Sequence, residues 1–282
     1  NTTNTLQYKS LHLVGFADDI NIMGRSIQKV KEGIEALENA GREVGLKINR
    51  EKTKLLIQTK KSKGNIESIT MENSRIDRVD KFKYLGVILT DRNDEIAEIQ
   101  NRIRNANKAY YAILPLIKDR DINRKSRLTL YKTSICSILV YGSKNWIITK
   151  KVESMLDCFE RKILRRIFGP VMDKGLWRMR YNGELYKLYD DIALSTLIRL
   201  KRLKWAGHIV RMEEERIPRK VLDGHFGGKR MVGRPRIQWE EMVRVDAKNL
   251  LGIRNWRTMA RRRDDWKALI GEAMVRRRAE EP

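Results

Sequence analysis

His12-Leu13-Val14-Gly15-Phe16-Ala17-Asp18-Asp19-Ile20-Asn21-Ile22-Met23-Gly24 decides how this chain is read. Apolar residues lead into two adjacent aspartates, and Ile20 and Ile22 alternate with Asn21 on the way out. That alternation predicts a half-buried antiparallel hairpin with the acidic pair at its turn. Such turns prefer Asn-Gly or Gly-Gly pairs, so two like charges there need a reason. A hard divalent cation is one: Mg²⁺ takes oxygen ligands and is held by one or two carboxylates plus substrate phosphates. A solvated acidic turn is the plainer reading, since a two-residue signature is weak by itself.

Working outward, the composition favours a polyanionic partner. The 282 residues include 60 Lys and Arg against 36 Asp and Glu, a net charge of +24. The excess is densest after residue 160, and so much positive charge attracts polyanions such as nucleic acid. Cys136 and Cys158 lie in apolar helical patterns with no Cys/His cluster, which argues against a structural zinc site. They read as reduced, buried thiols of an intracellular protein. No run of about 18 apolar residues occurs, so no membrane partner is expected. The chain carries no signal at its start and reads as a piece of something longer.

After the hairpin, Ile27, Val30, Ile34, Leu37 and Val44 recur at helical spacing, with Ser26 as N-cap. Leu46–Asn49 and Lys54–Ile57 read as strands on either side of a polar turn. Ile66–Met71 and Arg75–Val79 predict a small hairpin, and Phe82–Leu89 a strand bent at Gly86. From Asp91 the period changes to that of helices. Ile96, Ile99, Ile103, Ala106, Tyr110, Ile113 and Ile117 form one stripe, for which a bundle helix and a self-associating coiled coil are both readings. Further helices are expected near 124–141, 151–168 and 184–205. Residues 216–236, rich in Gly, Pro and Arg, read as a flexible basic linker. Two short helices with Trp239, Trp256 and Trp266 as a small core of their own complete the tail.

Together these pieces resemble the reverse transcriptase of a non-LTR retrotransposon of the jockey-like insect type. Phe16-Ala17-Asp18-Asp19 is similar to the family's catalytic turn, and Gly45-Leu46-Lys47-Ile48-Asn49-Arg50-Glu51-Lys52-Thr53 to the next palm motif. Phe82-Lys83-Tyr84-Leu85-Gly86 looks like the primer-grip strand. Arg202–Arg211 and Gly233–Trp239 look like recurring C-terminal segments of the family. The fold this implies is α+β. Residues 1–90 would be the C-terminal part of a polymerase palm, a small antiparallel sheet with one crossing helix. Residues 91–215 would be a helical thumb and connector, and 216–282 a basic, nucleic-acid-binding tail.

The resemblance implies roles. Asp18 and Asp19 would bind catalytic Mg²⁺, and Lys52 would donate a proton near the departing pyrophosphate. Phe16 would lie beside the primer end, and Phe82, Tyr84, Leu85 and Gly86 would hold the primer. For each, ordinary packing or a solvated side chain is the alternative. The charge pattern makes Arg199, Arg202 and Lys204, taken to share one helix face, phosphate-contact candidates. Arg230, Arg234 and Arg236 in the linker join them. Gly233-Arg234-Pro235 also resembles an AT-hook core, with Val232 where a basic residue is expected.

The resemblance has one gap. Two-metal chemistry takes carboxylates from two strands, yet residues 1–17 contain no Asp or Glu. The expected function is therefore an RNA-directed DNA polymerase using an RNA template, a DNA primer and dNTPs in the nucleus, with this chain inactive alone. The alternative is a non-catalytic nucleic-acid-binding remnant.

Overall fold

A computed structural model describes residues 11–59, 66–71, 74–224 and 238–280. The chain divides into two compact units, residues 1–98 with 223–230, and residues 99–222 with 231–282. The fold is α+β, with small antiparallel sheets and a helical majority.

In the first unit, β1 (Leu11–Phe16) and β2 (Asp19–Gly24) form the expected hairpin. Helix α1 (Ile27–Glu43) follows, and the Ser26 hydroxyl accepts from the Lys29 N–H at 3.3 Å, as its N-cap position predicts. Gly24 permits this tight turn: a Cβ there would sit 2.9 Å from Val30 Cγ2. β3 (Ser68–Met71) pairs with β4 (Ser74–Asp77), and β5 (Lys81–Tyr84) with β6 (Val87–Thr90). Ile34, Leu55, Ile69, Met71 and Ile76 are the buried core.

Three features of this unit depart from the sequence reading. The strands make three separate two-stranded sheets rather than one. Residues 46–49 form no strand, and Leu55 contributes only an isolated parallel bridge to Arg78. Phe82–Leu89 is a hairpin, because Leu85 and Gly86 both take positive φ, 46° and 80°. That pair of left-handed residues is the signature of a type I′ turn, so the chain reverses where a bend was expected.

In the second unit, α2 (Glu95–Ala112), which starts in the first unit, and α3 (Leu114–Lys118) carry the isoleucine stripe. Its Ile99, Ala106, Tyr110 and Ile117 are buried in a helical core, as a bundle helix requires. The helix expected over 124–141 is α4 (Arg124–Leu130), a π-helical turn (Tyr131–Cys136) and α5 (Ser137–Val140) in continuous sequence. α6 (Lys150–Phe168) begins at Thr149, whose hydroxyl accepts from the Val152 N–H, and ends at Gly169-Pro170.

A hairpin of β7 (Val171–Asp173) and β8 (Leu176–Arg178) follows, which the sequence reading missed. The single helix expected over 184–205 is two, α7 (Asn182–Tyr189) and α8 (Leu194–Val210), broken where Asp190 turns left-handed at φ 49°. Part of the expected linker is helical, α9 (Ile217–Asp223). The tail forms α10 (Trp239–Leu251), α11 (Trp256–Arg261) and α12 (Arg263–Glu280). These helices have no separate core. Val243, Ala247, Trp256 and Trp266 share one with Leu200, Leu203 and Ala206 of α8. Cys136 is buried, and burial pushes its thiol up to about 12; Cys158, expected to be buried too, is exposed.

Candidate functional site

The acidic hairpin is built as a tight two-residue reversal. Phe16 and Asp19 are opposite each other across the pair, and Ala17 and Asp18 form the turn. Asp19 therefore begins β2 rather than sitting in the turn. Ala17 takes φ 52°, a left-handed conformation that costs an ordinary L-residue about 1–2 kcal/mol. Strain of this kind collects at functional sites, and here it lies next to two consecutive exposed aspartates. Phe16 is 66% exposed and Leu13 52%, so the hairpin is less buried than its alternation predicts. Among the described residues this sheet has two strands, each with one unpaired edge.

The tip is in water, where two unit charges about 4 Å apart repel by only about 1 kcal/mol. The fold thus tolerates the acidic pair without a cation. A hard cation has two suitable oxygen donors there. Among the described residues, however, no group of three or more His, Cys, Asp or Glu could enclose a metal ion. The pair fits partial ligation of one ion shared with a phosphate, and it does not fit a complete two-metal clamp.

Lys52 is exposed, in a separate turn that Asn49 organises. The Asn49 side-chain oxygen accepts from the Lys52 N–H at 3.1 Å, and its carbonyl accepts from the Thr53 hydroxyl at 2.7 Å. Asn49 and Thr53 of that motif thus shape the loop that presents Lys52. Arg50 pairs with Glu38 at 3.2 Å and ties the loop to α1.

The primer-grip candidates are on the β5–β6 hairpin. Phe82 and Tyr84 are half-buried, and Leu85 and Gly86 form the tip. The Tyr84 hydroxyl is buried without a hydrogen-bond partner among the described residues, which leaves a polar atom available where the strand meets its turn. Glu98, at the start of α2, accepts from the Ile88 N–H at 2.7 Å and fixes this hairpin to the helix.

The basic candidates separate. Arg202 is not a phosphate contact: it has no exposed surface, donates through Nε to Asp246 at 2.9 Å, and also bonds the Trp146 carbonyl. Arg199 is 20% exposed and pairs with Glu153 at 2.9 Å, one turn from Arg202. Lys204 is exposed on a different face of α8, so the three do not share one. Arg230, Arg234 and Arg236, and the AT-hook-like segment, lie outside the described residues.

Sequence reasoning overlooked a buried acidic centre in the second unit. Glu160 is 1% exposed and accepts from the Tyr131 hydroxyl at 2.9 Å, the Tyr186 hydroxyl at 3.1 Å and the Leu194 N–H at 2.9 Å. Burial pushes its carboxyl up to about 7, against the pull of those donors. Asp157, one turn earlier, accepts from the Ser195 N–H and hydroxyl. These two carboxylates cap the start of α8, whose own Ala193 offers no cap. Glu160 sits within a Glu-Arg-Lys run, and only the position of its neighbours in the α6 stripe could have placed it inside.

Residues 2–89 match the family model for reverse transcriptase (RNA-dependent DNA polymerase). The matched segment contains the acidic hairpin, the Asn49–Thr53 turn and most of the β5–β6 hairpin. A putative uncharacterized transposon-derived protein of Caenorhabditis elegans is 25% identical over 268 residues, covering 93% of this chain and 96% of that protein. No solved structure matches. The two matches support kinship with a reverse transcriptase and with a transposon-derived chain. No helix among the described residues is long and apolar enough to cross a membrane.

Proposed function

We propose that this chain supplies the catalytic turn, thumb and nucleic-acid-holding tail of an RNA-directed DNA polymerase from a non-LTR retrotransposon of jockey-like type. The reading is carried by the Phe16–Asp19 hairpin tip, with its two carboxylates and left-handed Ala17, inside the segment matching the reverse transcriptase model. Asp18 and Asp19 would hold Mg²⁺ together with nucleotide phosphate oxygens. When bound, the ion supplies positive charge against the phosphates and activates the attacking hydroxyl.

The chain's own residues do the rest. Phe16 offers an exposed ring beside the acidic pair for the primer's last sugar or base. Lys52 brings a proton and a positive charge to the leaving pyrophosphate. Phe82, Tyr84, Leu85 and Gly86 hold the primer strand. The exposed apolar side chains of β1 and β2, and their edges unpaired among the described residues, suit addition of a further palm strand, which would carry the remaining carboxylate. RNA template, DNA primer and dNTPs are the partners, in the nucleus. Mg²⁺-dependent primer extension with and without Asp18 tests this reading.

One observation favours a second reading, a nucleic-acid-binding remnant without catalysis: the absence of a third metal-binding group near the tip among the described residues. The readings part on whether a polymerase containing this chain loses synthesis when Asp18 is changed.

A further inference from the structure

The β7–β8 hairpin has two unlike faces. Its register pairs Val171 with Arg178, Met172 with Trp177 and Asp173 with Leu176. Directly opposed residues share a face, so Met172 and Trp177 lie side by side on one, and Asp173, Leu176 and Arg178 on the other. Arg178 is held firmly. It meets Glu184 of α7 through two bonds of 2.7 and 2.9 Å and Asp173 at 2.7 Å, and its guanidinium lies 4.3 Å from the Tyr181 ring centre. Bonds to Arg178 and to the Tyr181 N–H hold the Glu184 carboxyl down at about 2. The hairpin is thereby tied to α7 through Arg178, although Leu176 at the tip of that face is itself exposed, and Met172 and Trp177 stand on the opposite face. Its turn, Lys174-Gly175, has both residues at positive φ, a compact reversal that adds to this rigidity.

The presented face is unusual. Trp177 is 67% exposed and Met172 53%, although tryptophan is a largely buried residue type. A rigid, exposed aromatic beside a flexible thioether needs a partner with flat apolar surfaces. The charge around it selects the partner's sign. Arg178 pairs with both the hairpin's acid, Asp173, and the adjacent Glu184, a trio that keeps one negative charge. Lys174 at the tip and Arg180, which bonds the Gly169 and Pro170 carbonyls at the hairpin's start, outweigh it. An apolar aromatic platform with surplus positive charge, on a chain of net +24, suits a polyanion that displays unstacked rings.

We propose that the β7–β8 hairpin is a base-stacking platform for single-stranded nucleic acid, with Trp177 stacking on an unpaired base and Met172 beside it. The inference rests on the polymerase reading above and adds a contact outside the segment that matches the reverse transcriptase model. Duplex nucleic acid keeps its bases stacked internally and gains nothing from this face. RNA and DNA single strands share the chemistry, and the sugar distinguishes them only at other contacts.

The test is binding of fluorescein-labelled 20-mers of dT and of rU, and of a 20-base-pair DNA duplex, to the full chain over a series of salt concentrations. Aromatic stacking on a base is worth about 5- to 150-fold in affinity when the ring is replaced by Ala. Trp177→Ala is expected to weaken single-strand binding within that range and leave duplex binding unchanged. Trp177→Phe should fall between wild type and Ala. The salt slope should not change, because no charge is removed. Of the six tryptophans, Trp177 alone is mostly exposed, so its emission should quench on binding. Trp177→Ala binding single strands within twofold of wild type would overturn the platform while leaving the polymerase reading intact. Loss of self-association in Trp177→Ala, with oligonucleotide binding unaltered, would overturn it in favour of a second copy of the chain. If the unsubstituted chain binds neither strand nor duplex, the platform and the nucleic-acid reading fall together.

Discussion

Arg202 of α8 and Asp246 of α10 form an ion pair in which neither side chain is exposed, with the guanidinium Nε 2.9 Å from the carboxylate. Arg202 also bonds the carbonyl of Trp146, and so it joins three parts of the second unit. Burial pushes the Asp246 carboxyl up, against the opposing pull of Arg202 and Arg199. Arg202 opens the Arg202–Arg211 segment, and its pairing with Asp246 makes that segment a seam between α8 and the tail helices.

Breaking a buried pair strands one charge, and the expected cost is about 3–5 kcal/mol. Arg202→Met or Asp246→Leu alone should lower the urea midpoint accordingly, while the double variant recovers most of the loss. Arg202→Met should leave the salt slope of nucleic-acid binding unchanged. A true phosphate contact would flatten it by about 0.9.

The same seam depends on Gly207. A Cβ at this position would overlap the Trp266 ring at Nε1 and Cδ1, and that indole donates to the Leu203 carbonyl at 3.0 Å. Gly207→Ala should destabilise by about 1–3 kcal/mol through overpacking. Trp266→Phe in the same chain should recover part of it, and thermal melts of the two singles and the double close the cycle. Additive losses would show that the indole is not what Gly207 accommodates.

Glu160 predicts a pH dependence with a defined sign. Its folded value of about 7 lies above the ordinary 4.5. Below about pH 4.5 the carboxyl is protonated in both states and its contribution is complete. As pH rises to 7 the folded chain keeps a proton that the unfolded chain releases, so stability falls. Above 7 the loss is complete, about 3 kcal/mol. Glu160→Gln cannot titrate. The stability difference, wild type minus variant, should therefore decline by about that amount between pH 4.5 and 7.5 in parallel urea titrations. A flat difference would contradict the buried placement.

Local signals made much of the fold legible. α1 follows Ser26 as its N-cap indicates, α6 covers the expected 151–168, and the isoleucine stripe marks the buried face of α2. The breaks were harder. Tyr84 and Val87 favour strand, and nothing in their pattern shows that Leu85 adopts a left-handed turn. Asp190 ends α7 in the same conformation, with no glycine to announce it. Lys174-Gly175 did carry a hairpin signal, hidden by the shortness of its strands. At the candidate site, the placement of Asp18 and Asp19 at a hairpin tip was readable because they are adjacent in sequence, although Asp19 belongs to β2 and only Asp18 to the turn. Arg202 was misread because charge alone does not reveal a partner 44 residues away.

The most direct test of the central claim is dTMP incorporation on poly(rA)·oligo(dT) with Mg²⁺, by a polymerase in which this chain provides the catalytic turn. On the proposed role of Asp18 in charge stabilisation of the transition state, Asp18→Asn should reduce incorporation by at least about 100-fold, the lower range for losing one electrostatic group. Template binding by the same variant should persist. The 282-residue chain by itself should incorporate nothing, since the remaining carboxylate is not among residues 1–17. Incorporation by Asp18→Asn near the wild-type rate would contradict the account.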